Sequence, residues 1–531
     1  MKINKILYTG SLALALSFSL TSCDSYLDEN PDNRANLDSE DKIVSLLTSA
    51  YGQSGYAVLN EVLSDNTDDM GSRYVQYDNL FYRQAFYWKD ITESDNDGVL
   101  NIWQDCYNSI SAANHALQAI DELGGPKTLK LKECKAEALM SRAYYHFLLV
   151  NEFCMPYDPA TAATSLGVPY PTEPETTLNP TYTRGNVAEV YAKIEKDILE
   201  AIPLLGDTHY TQPKYHFNKQ AALAFAARFF LFYQKWDLAV KYANECLGSN
   251  PKSLLRDWNE MQSYGITDNL DPRANLYIKA TNKCNFLIQP TISMAGFFFS
   301  NYTYVTKYAH NSYISKNETL GADQVWGVSD RTTLRCPGLA FKGGTTDRAL
   351  VAKVPRLFEE TDPISQTGYW HSAIVPFRAD ILLLERAEAY TMLKKYDLAC
   401  KDLTMWMHNL TKSTNTRTPE DIKTYYNSIA YYTSTSPTSK KHLYPSWQID
   451  AEGSVQESML QCVLNFKRIE TIHEGLRWFD VNRYGINITR RVMNQNSECD
   501  YVADSLGTKD LRRAVQLPFN IISAGLEKNP R

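Results

Sequence analysis

The chain has 531 residues, long enough for a large core, with 54 Lys and Arg against 61 Asp and Glu and a net charge of −7 at pH 7. That acidic balance argues against nucleic acid or anionic lipid as the main partner. Ten cysteines, scattered and without a Cys-x-x-Cys pair, fit neither a disulfide framework nor a zinc site.

Residues 1–22 read as a secretory leader, with Lys2 and Lys5 ahead of an apolar run from Ile6 to Leu20. The ending Leu20, Thr21, Ser22, Cys23 resembles a bacterial lipobox, so Cys23 is expected to become the N-terminus and to carry lipid that holds the chain on a membrane. Leader removal takes the charge from 54 − 61 to 52 − 61, or −9. The other reading is a secreted protein in which Cys23 is incidental.

"ESDNDGVLNIWQ" places Glu93, Asp95, Asp97 and Gly98 like part of a calcium loop, but Gln104 stands where a bidentate Glu belongs. Asp95 and Asp97 are weak metal candidates, and a cap for the following helix is the favoured reading. That helix carries Trp103, Cys106, Tyr107, Ile110, Ala113, Leu117 and Ile120 at three- and four-residue steps. "GGP" ends it, and "KECKAEALMSRAYYHFLLVNEF" follows as the second arm of a helical hairpin. After a Pro- and Thr-rich link, Asn186 is expected to cap a helix over "NVAEVYAKIEKDILEAIPLL".

"AALAFAARFFLFYQKWDLAVKYANECL" and "ILLLERAEAYTMLKKYDLACKDLTMWM" align without gaps, setting Ala227 against Ala387 and Trp236 against Tyr396. Small residues at a helix crossing with an aromatic at the turn are the mark of a tetratricopeptide-like unit, which must stack on neighbours to bury its apolar face. The expected fold is therefore dominated by α-helix, with tetratricopeptide-like helical repeats and long loop-rich insertions at 251–375 and 411–457.

No catalytic motif survives inspection: there is no G-x-S-x-G, Walker loop or dinucleotide glycine pattern, and "HEGLR" at His473 lacks the second His of a zinc protease. Glu359 and Glu360 read as solvated acids rather than as a catalytic pair. The charges in 466–485 read as an ion-pair network that locks the C-terminal segment to the repeats, with Glu470, Glu474 and Arg477 on one helical face.

The binding signal is aromatic. Tyrosine outnumbers phenylalanine 35 to 20, and residues 290–313 hold seven aromatic rings. Flat rings stack on the C–H faces of sugars while amides, carboxylates and guanidinium groups reach the hydroxyls. Trp88, Tyr304, Tyr308, Trp326 and Trp370 are the candidate glycan-binding residues, whereas Phe297, Phe298 and Phe299 are expected to pack into the scaffold.

Landmarks along nearly the whole chain, among them "SCDSYLDENPDN", "WQDCYNSISAANHAL", "AEALMSRAYYHFLLVNEF" with "GVPYP", "FRADILLLERAEAY", "EGLRWFDVNRYG" and "LPFNIISAGLEKNPR", resemble the SusD/RagB family of surface lipoproteins from Bacteroidetes. One departure is Cys154 after Phe153, where members often have Gly. The resemblance implies a helical fold with four tetratricopeptide-like units and no enzymatic activity or cofactor. It also implies capture of oligosaccharide or polysaccharide at the outer-membrane surface, and delivery to a SusC-like TonB-dependent barrel. The expected organisation is a leader at 1–22, a lipidated tether at 23–40 and a helical region at 41–250. The insertion 251–375 is the ligand face, followed by a repeat unit at 376–410, a second insertion at 411–457 and a C-terminal segment at 458–531. A structural or peptide-binding lipoprotein is the alternative, and a glycan-active enzyme a more remote one.

Overall fold

The structure, a computed structural model, describes residues 37–74, 79–177, 180–264, 271–300, 306–329, 333–343 and 346–531. The expected leader, Cys23 and Tyr304 lie outside the described residues.

Helices dominate, as expected. Among the described residues nine long ones build the scaffold: α1 (Val99–Glu122), α2 (Leu129–Phe153), α3 (Val187–Ala201), α4 (Lys219–Phe232), α5 (Trp236–Leu247), α6 (Ala379–Met392), α7 (Tyr396–Leu410), α8 (Pro419–Ser428) and α9 (Val455–Glu470). The pairs α1–α2, α4–α5, α6–α7 and α8–α9 pack as hairpins, α3 lies on α2, and α6 contacts both α5 and α9. Asn186 caps α3 as anticipated, its Oδ1 accepting from Glu189 N at 2.9 Å.

The internal repeat is reproduced in backbone detail. Gln234 and Lys394, which align with each other, both take positive φ, 61° and 56°. In both turns the next amide closes the helix: Lys235 N donates to Phe230 O at 2.9 Å and Lys395 N to Tyr390 O at 2.8 Å. Ala227, Ala387, Ala239 and Ala399 are buried, so small side chains let the paired helices approach closely.

The insertion 251–375 is more structured than a loop. It supplies β1 (Asn285–Thr291), β2 (Leu357–Asp362) and most of β3 (Thr367–Arg378), an antiparallel sheet in the order β1-β3-β2. β3 runs through position 375 and leads directly into α6. A second sheet orders Tyr308–Ala309, Asp68–Asp69, Ile488–Met493 and Cys499–Leu506, tying three remote stretches of chain together.

The charge-rich C-terminal segment is interior, and one detail of its expected geometry is corrected. Glu470, Glu474 and Arg477 do not share a helix, because α9 stops at Glu470 and α10 (Leu476–Arg483) starts after a turn. His473 and Gly475 have φ of 73° and 75° there, which breaks the helix. A Cβ at Gly475 would stand 2.9 Å from Ala57 Cα. The charges form buried pairs: Glu474 with Arg378 at 2.8 Å, Arg477 with Asp65 at 2.8 Å, and Arg483 with Glu388 of α6 at 2.8 Å. The last of these joins α10 to a repeat helix. The nine described cysteines are unpaired, and seven are buried.

Candidate functional site

Seven segments of the chain converge on a pocket of about 330 Å³. The helix Ala57–Leu63 brings Glu61, the helix Leu80–Phe86 brings Tyr82, and the helix Ala295–Ser300 brings Phe298 and Phe299. Tyr308 and His310 come from the second sheet and the residue after it, Arg348 from the strand Thr346–Leu350, and His473 from the turn before α10. Tyr74, Asn79, Asp95 and Lys307 add to the polar and aromatic lining, with Thr67 and Thr306.

The rings are held by one another. Tyr82 meets Phe298 edge to face at 5.0 Å, Tyr308 stacks on Phe86 at 4.4 Å, and Phe299 lies on His473 at 4.6 Å. Asn79 caps its helix by accepting from Phe81 N at 2.8 Å, which fixes the amide at the pocket wall.

Burial sets the charge of the polar lining. His473 is held neutral, its pKa driven well below the ordinary range by desolvation, and the His310 ring is pushed down to about 4 by the same cause. His310 is fixed at both nitrogens, Nδ1 against Asn66 O at 3.0 Å and Nε2 against Thr319 Oγ1 at 2.9 Å. Burial raises Glu61 to about 7 even though its carboxylate accepts from Gly475 N at 3.0 Å and Asn66 Nδ2 at 3.1 Å. The pocket therefore presents aromatic faces and neutral imidazoles together with the charged groups of Asp95, Lys307 and Arg348. Flat rings beside hydrogen-bonding groups suit a polyhydroxylated ligand.

A second aromatic feature stands beside the pocket. On the β2–β3 hairpin Phe358 and Trp370 are opposed across the strands, their rings 5.0 Å apart and 45% and 47% exposed. Phe297 packs on Trp370 at 5.1 Å. Thus one short helix serves both features, with Phe297 toward the hairpin and Phe298 and Phe299 lining the pocket. Gly296 allows this, since a Cβ there would stand 2.4 Å from Pro355 O. Tyr369, on the opposite face of the hairpin, donates to Glu359 Oε2 at 2.7 Å.

The sequence-derived candidates divide. Trp370 is exposed and Tyr308 lines the pocket. Trp88 is interior, its Nε1 donating to Leu63 O at 2.9 Å and its ring covered by the Arg490 guanidinium at 3.9 Å. Trp326 is also buried, packed on Trp406 and Phe466, with Nε1 donating to Ser329 Oγ at 3.0 Å. Burial removes both indoles from the surface open to a sugar. Asp97 neither caps α1, whose N-cap is Gly98, nor joins a metal cluster among the described residues. Its carboxyl instead accepts from Ser293 Oγ and from Met294 N at 2.9 Å, tying the start of α1 to the segment that leads into the Phe297–Phe299 helix. Asp95 lines the pocket. Tyr82, Phe298 and Phe299 are pocket residues that sequence reasoning missed or assigned to packing.

Comparison with known proteins agrees with this architecture. Residues 25–231 match the SusD-like family described as starch-binding, associating with the outer membrane. No curated protein matches. Among solved structures, a SusD superfamily protein from Bacteroides thetaiotaomicron is 19% identical, covering 94% of this chain and 100% of its own, with a TM-score of 0.62. One from Bacteroides fragilis is 16% identical, covering 93% and 99%, with a TM-score of 0.61. A SusD-like carbohydrate binding protein from Bacteroides vulgatus is 15% identical, covering 92% and 96%, with a TM-score of 0.56.

Proposed function

We propose that this chain, which has the fold of the SusD superfamily, binds extracellular oligosaccharide or polysaccharide in the aromatic pocket and passes it to a SusC-like TonB-dependent transporter. The observation that carries the reading is the pocket itself, where the rings of Tyr82, Phe298, Phe299 and Tyr308 surround a cavity that also holds Asn79, Asp95 and Arg348. Stacking rings supply affinity without a fixed linkage requirement, and the amide, carboxyl and guanidinium groups orient hydroxyls. Trp370 and Phe358 extend the aromatic surface outward for a chain longer than the pocket.

Cys23 carries the lipid in this reading and places the protein on the outer face of the outer membrane. No described helix is long and apolar enough to cross a membrane; in this reading the lipid on Cys23 is the anchor. Binding proceeds without turnover. Titration with a panel of neutral glycans should give saturable binding to at least one member and no new reducing ends on incubation. Release of reducing ends would replace the reading with an enzymatic one.

A further inference from the structure

A second cavity lies on the repeat scaffold and shares no residue with the aromatic pocket. It is an open groove of about 1080 Å³ between α7, the segment 252–259, Arg335 and the loop 413–419. One face of α7 forms its wall: Asp397, Lys401, Thr404, Met405, His408 and Asn409 follow at helical spacing.

The groove is cationic in an acidic protein. Lys252, Arg335, Lys401 and Arg417 line it against Asp257 and Asp397. Asp257 is committed elsewhere, its Oδ1 accepting from Asn259 N at 2.9 Å and Glu260 N at 3.0 Å as a helix cap. Among the described residues none of the four cations has a carboxylate within 4 Å, whereas the buried arginines of the core are consistently paired or bonded to backbone carbonyls. Arg335 is positioned rather than neutralised, its Nε donating to His408 O at 3.2 Å. Among the described residues the Arg417 Nε and the indole N–H of Trp258, both buried, have no hydrogen-bond partner. Four cations without a carboxylate partner in one groove call for anionic acceptors from a ligand.

We infer that this groove is a second saccharide site, selective for sugars that carry carboxylate or sulfate groups. Short hydroxyl and amide side chains, including Asn259, Asn409, Ser413 and Thr416, surround the cations and match sugar hydroxyls. Trp258, Cys400, Met405 and Pro419 supply apolar surface on which the C–H faces of sugar rings can lie. The inference does not depend on what fills the aromatic pocket.

Calorimetry tests it with four probes: hexagalacturonate, a chondroitin sulfate hexasaccharide, maltohexaose and hexaglutamate. The expected result is that at least one acidic saccharide binds wild type, and that affinity falls as NaCl rises from about 50 to about 300 mM. Lys401→Ala/Arg417→Ala should weaken that binding at least tenfold, and Lys401→Glu, an exposed change that leaves Arg417 in place, should weaken it several-fold. Tyr82→Ala/Phe299→Ala should leave it unchanged. Binding of the uronate only assigns carboxylate recognition, and binding of the sulfated probe only assigns sulfate. The proposal is overturned if neither acidic saccharide binds, if the Lys401 and Arg417 variants bind as wild type, or if hexaglutamate binds as tightly as either saccharide.

Discussion

Phe299 lies flat on His473, their ring centroids 4.6 Å apart and their planes 10° from parallel. The imidazole is buried and neutral, so it serves as a further flat surface of the pocket rather than as an acid or a base. Phe299→Ala should weaken glycan binding about tenfold, the order expected for loss of one stacking ring, ~1.4 kcal/mol. His473→Phe should retain most of the affinity and His473→Ala should not. Equal losses in both His473 variants would show that a ring nitrogen, not a flat face, matters there.

Trp370 should separate long from short ligands. It is half exposed on a hairpin outside the pocket, so Trp370→Ala should leave the melting temperature within about a degree of wild type. In affinity gels it should reduce retention on polysaccharide while calorimetric binding of a short oligosaccharide is unchanged. An equal loss with both ligands would place Trp370 in the primary site.

Glu152 gives the chain a definite pH dependence. It is buried in α2, and burial pushes its carboxyl up to about 8 from an ordinary value of 4.5. Between these values the folded state keeps a proton that the unfolded state has lost, so this group's contribution to stability falls as pH rises through that window. Glu152→Gln should therefore melt close to wild type at pH 4.5 and several degrees higher at pH 8. A constant difference across the range would contradict the assignment.

The Arg378–Glu474 pair is buried on both sides, and Arg378 also meets Glu470 at 3.2 Å. Removing the guanidinium leaves two acids in a low-dielectric site, so Arg378→Met should cost about 3–5 kcal/mol in chemical denaturation. A much smaller loss would mean that Lys353, 3.2 Å from Glu474, compensates alone.

The two repeat turns make a matched pair for strain. Gln234→Gly and Lys394→Gly each relieve a positive φ on a residue with a Cβ, and each should stabilise by roughly 0.5–1 kcal/mol. The two effects should add, because the turns belong to different helix hairpins.

The helical scaffold was readable because its signals are local: apolar spacing in α1 and α3, the Asn186 cap, and the gapless match of α4–α5 with α6–α7. The pocket was not readable, because it draws a few residues from each of seven segments and exists only after the chain has folded. Phe298 and Phe299 look like core by composition, and Phe298 is indeed buried; their role comes from the void that they border. Trp88 and Trp326 misled for the opposite reason, since polar neighbours in sequence did not reveal that Leu63 O, Ser329 and Arg490 would satisfy them inside. The charges at 466–485 were recognisable as a network. The break at His473 and Gly475 was not, because it is enforced by the backbone of Ala57 packed against it.

Titration of wild type and Tyr82→Ala/Phe299→Ala with the same neutral glycan panel tests the central claim most directly. At least one glycan should bind wild type saturably, and the double variant should lose that binding while its circular-dichroism melt stays close to wild type. Equal binding by the two proteins, or no binding by a folded wild type to any member, would contradict the assignment of the pocket to glycan capture.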